Sequence, residues 1–228
     1  MRTNNEDEIM KTDVDNRILV IHGGTSSLNL LLNYIESLGY IFEEVNFDDV
    51  TWKLKKEIDE NKRTKVELEL DSTTLGKFDG VIFAGGIIRE SVLPGIYREI
   101  KRWSRRFIKE LTVPFLGICL GHMMLGLTYG ATYRVMKRRS QNPIAEEKGL
   151  VQITFHRKFP LTPGISSLDV YENHERELSR LPDCLINTAS SRDSEIQAIY
   201  HVSRQQYGVQ FHPEYKEHVV LQNFLKLL

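Results

Sequence analysis

From residue 17 onward the chain alternates short apolar runs, often closed by glycine, with segments whose apolar positions recur at helical spacing. Arg17 to His22 forms a buried strand that runs into Gly23-Gly24. Ser26 or Ser27 stands where a helix cap belongs, before an inner face of Leu28, Leu31, Leu32, Ile35 and Leu38. Gly39 closes that helix and Ile41 to Phe47 resumes as a strand. Strand, helix, strand is the signature of a parallel sheet. Lys53 to Asn61 predicts a short solvated helix, and Val66 to Leu70 alternates like a half-exposed strand. Asp79 to Ala84 is a further central strand. Ile96 to Leu111 predicts a basic amphipathic helix lined by Ile100, Trp103, Phe107 and Leu111. Strands are then predicted at 131–135, 150–155, 168–171, 185–189 and 196–200, before an apolar run toward His212.

Two of these runs end on reactive side chains. Phe115-Leu-Gly-Ile-Cys119-Leu-Gly-His122 is an apolar strand that stops on a cysteine between two glycines, with a helix beginning at once. A sharp strand-to-helix turn of this kind lifts one side chain clear of the sheet, and the flanking glycines leave it room. At a helix N-terminus the dipole and free amides favour thiolate over thiol. A cysteine serving only as a small core hydrophobe needs neither feature. Near the C-terminus, Tyr207-Gly-Val-Gln-Phe-His212-Pro-Glu214 ends in a histidine with a carboxylate two residues later. A thiol nucleophile needs a base, and the base needs a partner that fixes its tautomer. Cys119, His212 and Glu214 supply the three roles, although a histidine on its own would be read as a strand end.

The two motifs resemble the signatures of class I (triad-type) glutamine amidotransferases. Phe83-Ala-Gly85-Gly86 is similar to the family's oxyanion loop. The order of the three elements matches the family from about Arg17 to Leu228. The resemblance implies an α/β fold: an open, mostly parallel twisted sheet with helices on both faces, the flavodoxin-like arrangement. It also implies hydrolysis of the glutamine side-chain amide by Cys119. The Gly86 and Leu120 backbone amides would hold the oxyanion, with Gly85 and the residue at 123 beside the substrate. Two positions depart from the family. Met123 stands where Cys-x-Gly-x-Gln is usual; it either packs its helix or alters the substrate. Ile87 replaces the proline of Gly-Gly-Pro and leaves that loop less rigid.

Val170-Tyr171-Glu-Asn-His174-Glu-Arg176, followed by Leu181-Pro182, most resembles the separate glutaminase subunit of GMP synthase. The resemblance puts His174 near a synthetase interface; the plain alternative is an exposed loop histidine. Arg176 replaces the aspartate usual there. The chain has no Walker-type loop, so no cofactor is expected here, and ATP and Mg are expected only on an ATP-pyrophosphatase synthetase subunit in trans. The substrate would be glutamine or another γ-glutamyl amide. A stand-alone γ-glutamyl amide or peptide hydrolase, or a non-catalytic regulatory subunit, remain the other readings.

Composition adds limits. At 228 residues the expectation is one domain over 17–228 behind a charged, aperiodic extension at 1–16. A net charge of -1 gives no electrostatic footprint for nucleic acid. The two cysteines, Cys119 and Cys184, lack metal spacing and are read as thiols of a reducing, cytoplasmic setting, with Cys184 packing beside its strand. No metal ligands and no membrane contact are expected. His22-Gly23-Gly24-Thr25 is read as the first strand–helix turn, with an anion at the helix N-terminus as its alternative. Arg89 and Arg98 are surface residues or anion contacts.

Overall fold

The computed structural model describes residues 16–46, 76–86, 102, 104–136 and 146–228. Expectations for the N-terminal extension, for 53–61 and 66–70, and for Ile87, Arg89, Arg98, Ile100 and Trp103 lie outside these residues.

Alternation along the strands builds the layers. In β1 (Arg17–Gly23) Ile18 and Val20 join one apolar cluster, while Leu19 and Ile21 join a second on the opposite face. The first cluster is covered by α1 (Leu28–Ser37) through Leu31 and Ile35, and by the C-terminal α4 (Val219–Leu225) through Val220, Leu221, Phe224 and Leu225. The second is covered by α2 (residues 104–110) through Phe107 and Ile108, and by α3 (Leu120–Tyr129) through Met123, Met124, Leu125 and Leu127. Each such side chain, fully buried, contributes about 1.5–3 kcal/mol. Cover on both faces explains why β1 is buried without a break from Ile18 to Gly23.

The remaining strands are β2 (Ile41–Asn46), β3 (Gly80–Gly86), β4 (Phe115–Ile118), β5 (Thr132–Val135), β6 (Glu147–Phe155), β7 (Ser167–His174), β8 (Arg176–Arg180), β9 (Leu185–Ser190), β10 (Ala198–His201) and β11 (Gln206–Val209). Nine form one sheet in the order β2-β1-β3-β4-β11-β10-β9-β6-β7. The expected α/β fold is present: β2, β1, β3, β4 and β11 run parallel in flavodoxin-like order. Antiparallel β10, β9, β6 and β7 extend the sheet from β11. β5 and β8 pair separately.

Most predicted elements appear within a few residues. The strand read at 150–155 starts earlier, at Glu147, because its polar first residues pair with the end of β7, Glu147 opposite His174. β8 and α4 have no counterpart among the predicted elements. The strand expected to end on His212 stops at Val209; His212 follows as an isolated bridge, its N–H donating to the Tyr171 carbonyl at 2.9 Å.

Parallel strands put all their C-terminal ends on one side. Gly23-Gly24-Thr25, Gly85-Gly86, Cys119 and the Gln210–Glu214 segment therefore share one rim, beside the point where strand order reverses around β1.

Candidate active site

Cys119 sits between β4 and α3 with φ 51 and ψ -98, one of two non-glycine residues of positive φ among those described. This is the elbow that the flanking glycines predicted, and the packing explains both of them. A Cβ on Gly121 would stand 1.9 Å from the Phe83 carbonyl oxygen, and one on Gly117 2.4 Å from the Gly121 backbone. The helix thus starts pressed against β3 and β4. Cys119 occupies the N-cap position but makes no side-chain capping bond, and its thiol is partly accessible. Cys119 and Cys184 are both free thiols, and Cys184 packs against the second apolar cluster as expected.

His212 reaches the thiol from the segment that follows β11. Its Nδ1 is 2.8 Å from Oε1 of Glu214, so that nitrogen carries the proton and donates to the carboxylate. This leaves Nε2 for the hydrogen bond to Cys119. Burial alone would lower the His212 pKa; the bonds to Cys119 and Glu214, and the charges of both, raise it to about 11. The arrangement favours the imidazolium form of His212. The Gln210 amide points at the same sulfur, Nε2 to Sγ 3.8 Å.

Glycines make room for this contact as well. A Cβ on Gly85 would lie 2.9 Å from Cε1 of His212 and 3.3 Å from Oγ1 of Thr25. Gly86 packs on the backbone of Gly23, where its Cβ would come to 2.4 Å. Leu120 is the first residue of α3, and the first bond closing that helix runs from Met123 N–H to the Cys119 carbonyl at 3.1 Å. The Leu120 amide accordingly has no acceptor within its helix.

The family model for class-I glutamine amidotransferases matches residues 19–227. The chain belongs to this family. The glutamine-hydrolysing GMP synthase subunit of Saccharolobus solfataricus is 39% identical over 145 residues, covering 62% of this chain and 70% of the relative. Its namesake from Thermoplasma acidophilum is 31% identical over 166 residues, 72% of this chain and 76% of the relative. A crystal structure of a GMP synthase subunit protein of Thermoplasma acidophilum superposes with a TM-score of 0.71 at 24% identity, over 95% of both chains, and shows the same fold. Among the described residues of this amidotransferase no helix is long and apolar enough to cross a membrane.

The other expected site residues fall in different places. Met123 is buried within the second apolar cluster on α3, so its side chain packs the helix onto the sheet. His174 is not the exposed loop histidine of the plain alternative, which the structure corrects. It ends β7 with only 4% of its side chain exposed. Nδ1 donates to the Arg176 carbonyl at 3.0 Å, and Nε2 faces Glu147 Oε2 at 3.0 Å and Glu172 Oε2 at 3.3 Å. Burial would lower its pKa, but the hydrogen bonds to the two carboxylates outweigh this and raise it to about 10. Burial raises the Glu172 pKa, against the pull of His174. Glu147 also accepts from Ser191 Oγ and from Gln197 Nε2 at 2.7 Å. These three ionisable groups could hold a metal ion by their spacing. A protonated His174 already supplies the positive charge that the carboxylates need.

Sequence reasoning missed two features. Glu147 and Glu172 give no motif signal, because only strand pairing brings them to His174. Ser27 has the sequence signal of a cap for α1. It occupies the N-cap position without a side-chain capping bond, and its hydroxyl donates to Oε1 of Glu214 at 2.6 Å. The His22–Thr25 segment forms the expected first strand–helix turn, between β1 and α1.

Proposed function

We propose that this chain hydrolyses the side-chain amide of glutamine through a Cys119 thioester and delivers the ammonia to a separate synthetase that aminates XMP to GMP. The observation carrying the chemistry is the Cys119–His212–Glu214 alignment at a strained elbow, with Nδ1 of His212 fixed on Glu214. The relatives named as glutamine-hydrolysing subunits of GMP synthase support the acceptor and the partner.

The Cys119 thiolate attacks the carboxamide carbon, and the tetrahedral oxygen takes the negative charge. The Gly86 and Leu120 amides meet that charge; a donor of this kind contributes about 100- to 1000-fold to turnover. His212 passes its proton to the leaving nitrogen, the C–N bond breaks and ammonia departs, leaving the γ-glutamyl thioester. Water then attacks the thioester as His212 takes its proton. The C–S bond breaks, glutamate leaves, and the Cys119 thiolate is restored beside a protonated His212. Glu214 keeps the imidazole in the tautomer that both steps use. Burial of Met123 in the apolar cluster leaves the substrate's polar groups to other donors on the rim.

Glutamate release from glutamine, measured for wild type and Cys119→Ala, tests this reading. The assay runs alone and with an XMP-aminating ATP-pyrophosphatase subunit, XMP and ATP. Cys119-dependent release that rises with the partner is expected. No release in either condition would overturn glutamine as substrate and direct the search to larger γ-glutamyl amides.

A further inference from the structure

We infer that Ser27 is a positioning residue of the active site, aligning the Glu214 carboxylate with His212 through its hydroxyl; this rests on the triad reading above. Ser27 and Glu214 are 187 residues apart in sequence and both are buried. Oε1 of Glu214 receives two donors, His212 Nδ1–H at 2.8 Å and Ser27 O–H at 2.6 Å. The other oxygen, Oε2, is buried without a hydrogen-bond partner. One oxygen therefore takes both hydrogen bonds given to Glu214 among the described residues. A carboxylate held by a single donor rotates about its Cγ–Cδ bond, whereas a second donor on the same oxygen fixes its plane.

The proton directions follow from the acceptor chemistry. A carboxylate only accepts, so Ser27 spends its single proton on Glu214. The contact between Thr25 Oγ1 and Ser27 Oγ, 2.8 Å, must then have Thr25 as donor. The chain runs from Thr25 O–H to Ser27 Oγ, and from Ser27 O–H to Glu214 Oε1, which also accepts from His212.

The mount is rigid. The Ser27 carbonyl accepts from Leu30 and Leu31 at 3.1 and 3.2 Å, so α1 holds its backbone. Leu31 and Ile35 anchor that helix on the sheet. Ser27 forgoes the capping bond usual for a serine at this position, and its hydroxyl is turned to the triad instead. Ser27 is thus placed to act on the reaction through Glu214.

The test is a double-mutant cycle of Ser27→Ala and Glu214→Gln, with Ser27→Thr as the conservative control. Glutamine turnover is read with the partner present, and alkylation of Cys119 by iodoacetamide is read across pH. Ser27→Ala is expected to lower kcat about tenfold with KM unchanged, the size of one lost hydrogen bond to a charged group. The pH profile of Cys119 alkylation changes with it, because a loose carboxylate holds the His212 imidazolium less firmly. Ser27→Thr restores both. In the Glu214→Gln background Ser27→Ala has no further effect on the alkylation rate. An equal loss in both backgrounds, or no loss in either, overturns the positioning role. Wild-type Cys119 that alkylates with the pH profile of an ordinary thiol would instead overturn the triad reading itself. Thermal midpoints of all variants separate either result from misfolding.

Discussion

The two halves of the large sheet bury different things. The parallel half, β2-β1-β3-β4-β11, buries almost only apolar side chains and brings backbones into close contact through Gly23, Gly86, Gly117 and Gly121. Its polar groups stand at the strand ends, where the candidate triad lies. The antiparallel half, β10-β9-β6-β7, buries a charged network of its own, Glu147, Glu172 and His174 with Gln197 and Ser191. One half is therefore specified by shape, the other by electrostatic pairing. They should fail in different ways when perturbed.

The largest effect is expected in the antiparallel half. Glu147→Ala removes the nearer acceptor of His174, and that of Gln197 and Ser191, at once, and should destabilise by about 3–5 kcal/mol, the cost of breaking a buried ion pair. Urea denaturation checks it. A loss under about 1 kcal/mol would mean that the network is not what holds this half.

In the parallel half the sensitive positions are glycines. Gly121→Ala would force a methyl against the Phe83 carbonyl and should cost about 3 kcal/mol or more. Gly149→Ala, in β6 at φ +95 with nothing within 4 Å, should cost only about 1–2 kcal/mol of backbone strain. Equal losses would erase the contrast.

pH sharpens it further. Burial lowers the His122 pKa from 6.5 to about 3, so between those values the unfolded chain binds a proton that the folded chain refuses. Stability must then fall as pH falls from about 6.5, and His122→Leu should flatten that slope. His174 and His212 behave oppositely. Their raised values, about 10 and about 11, give a contribution complete below about pH 6.5 and lost as pH rises through the folded values. Thermal melts from about pH 4 to 10 should peak near about pH 6.5, with the alkaline slope reduced in His174→Gln.

The smallest effect belongs to neither half. Arg106 and Glu110 form an exposed i,i+4 pair at 2.9 Å on α2, and Arg106→Ala should cost only about 0.3 kcal/mol by the same denaturation assay.

How much of this is legible in the chain follows the same division. The elbow at Cys119 can be read directly, because glycine, apolar run and helix start are adjacent in sequence. His212 and Glu214 are visible for the same reason, two residues apart. The parallel order follows from strand–helix–strand periodicity. Contacts made by pairing between distant segments are not visible. Ser27 gives a good local signal for a helix cap, and only a partner 187 residues away redirects its hydroxyl. His174 lies in a polar stretch that suggests exposure, yet its register opposite Glu147 buries it. β8, Arg-Glu-Leu-Ser-Arg, carries no clean alternation and exists because β5 pairs with it.

The backbone of Cys119 carries a further consequence. A side chain held at φ 51 and ψ -98 costs about 1–3 kcal/mol, a cost that glycine would not incur. Cys119→Gly should therefore melt higher than Cys119→Ala, and under the proposed chemistry both are inactive. A library of variants screened for heat resistance alone would drift toward glycine at this position. Under the proposed chemistry, the position trades durability for a reactive side chain.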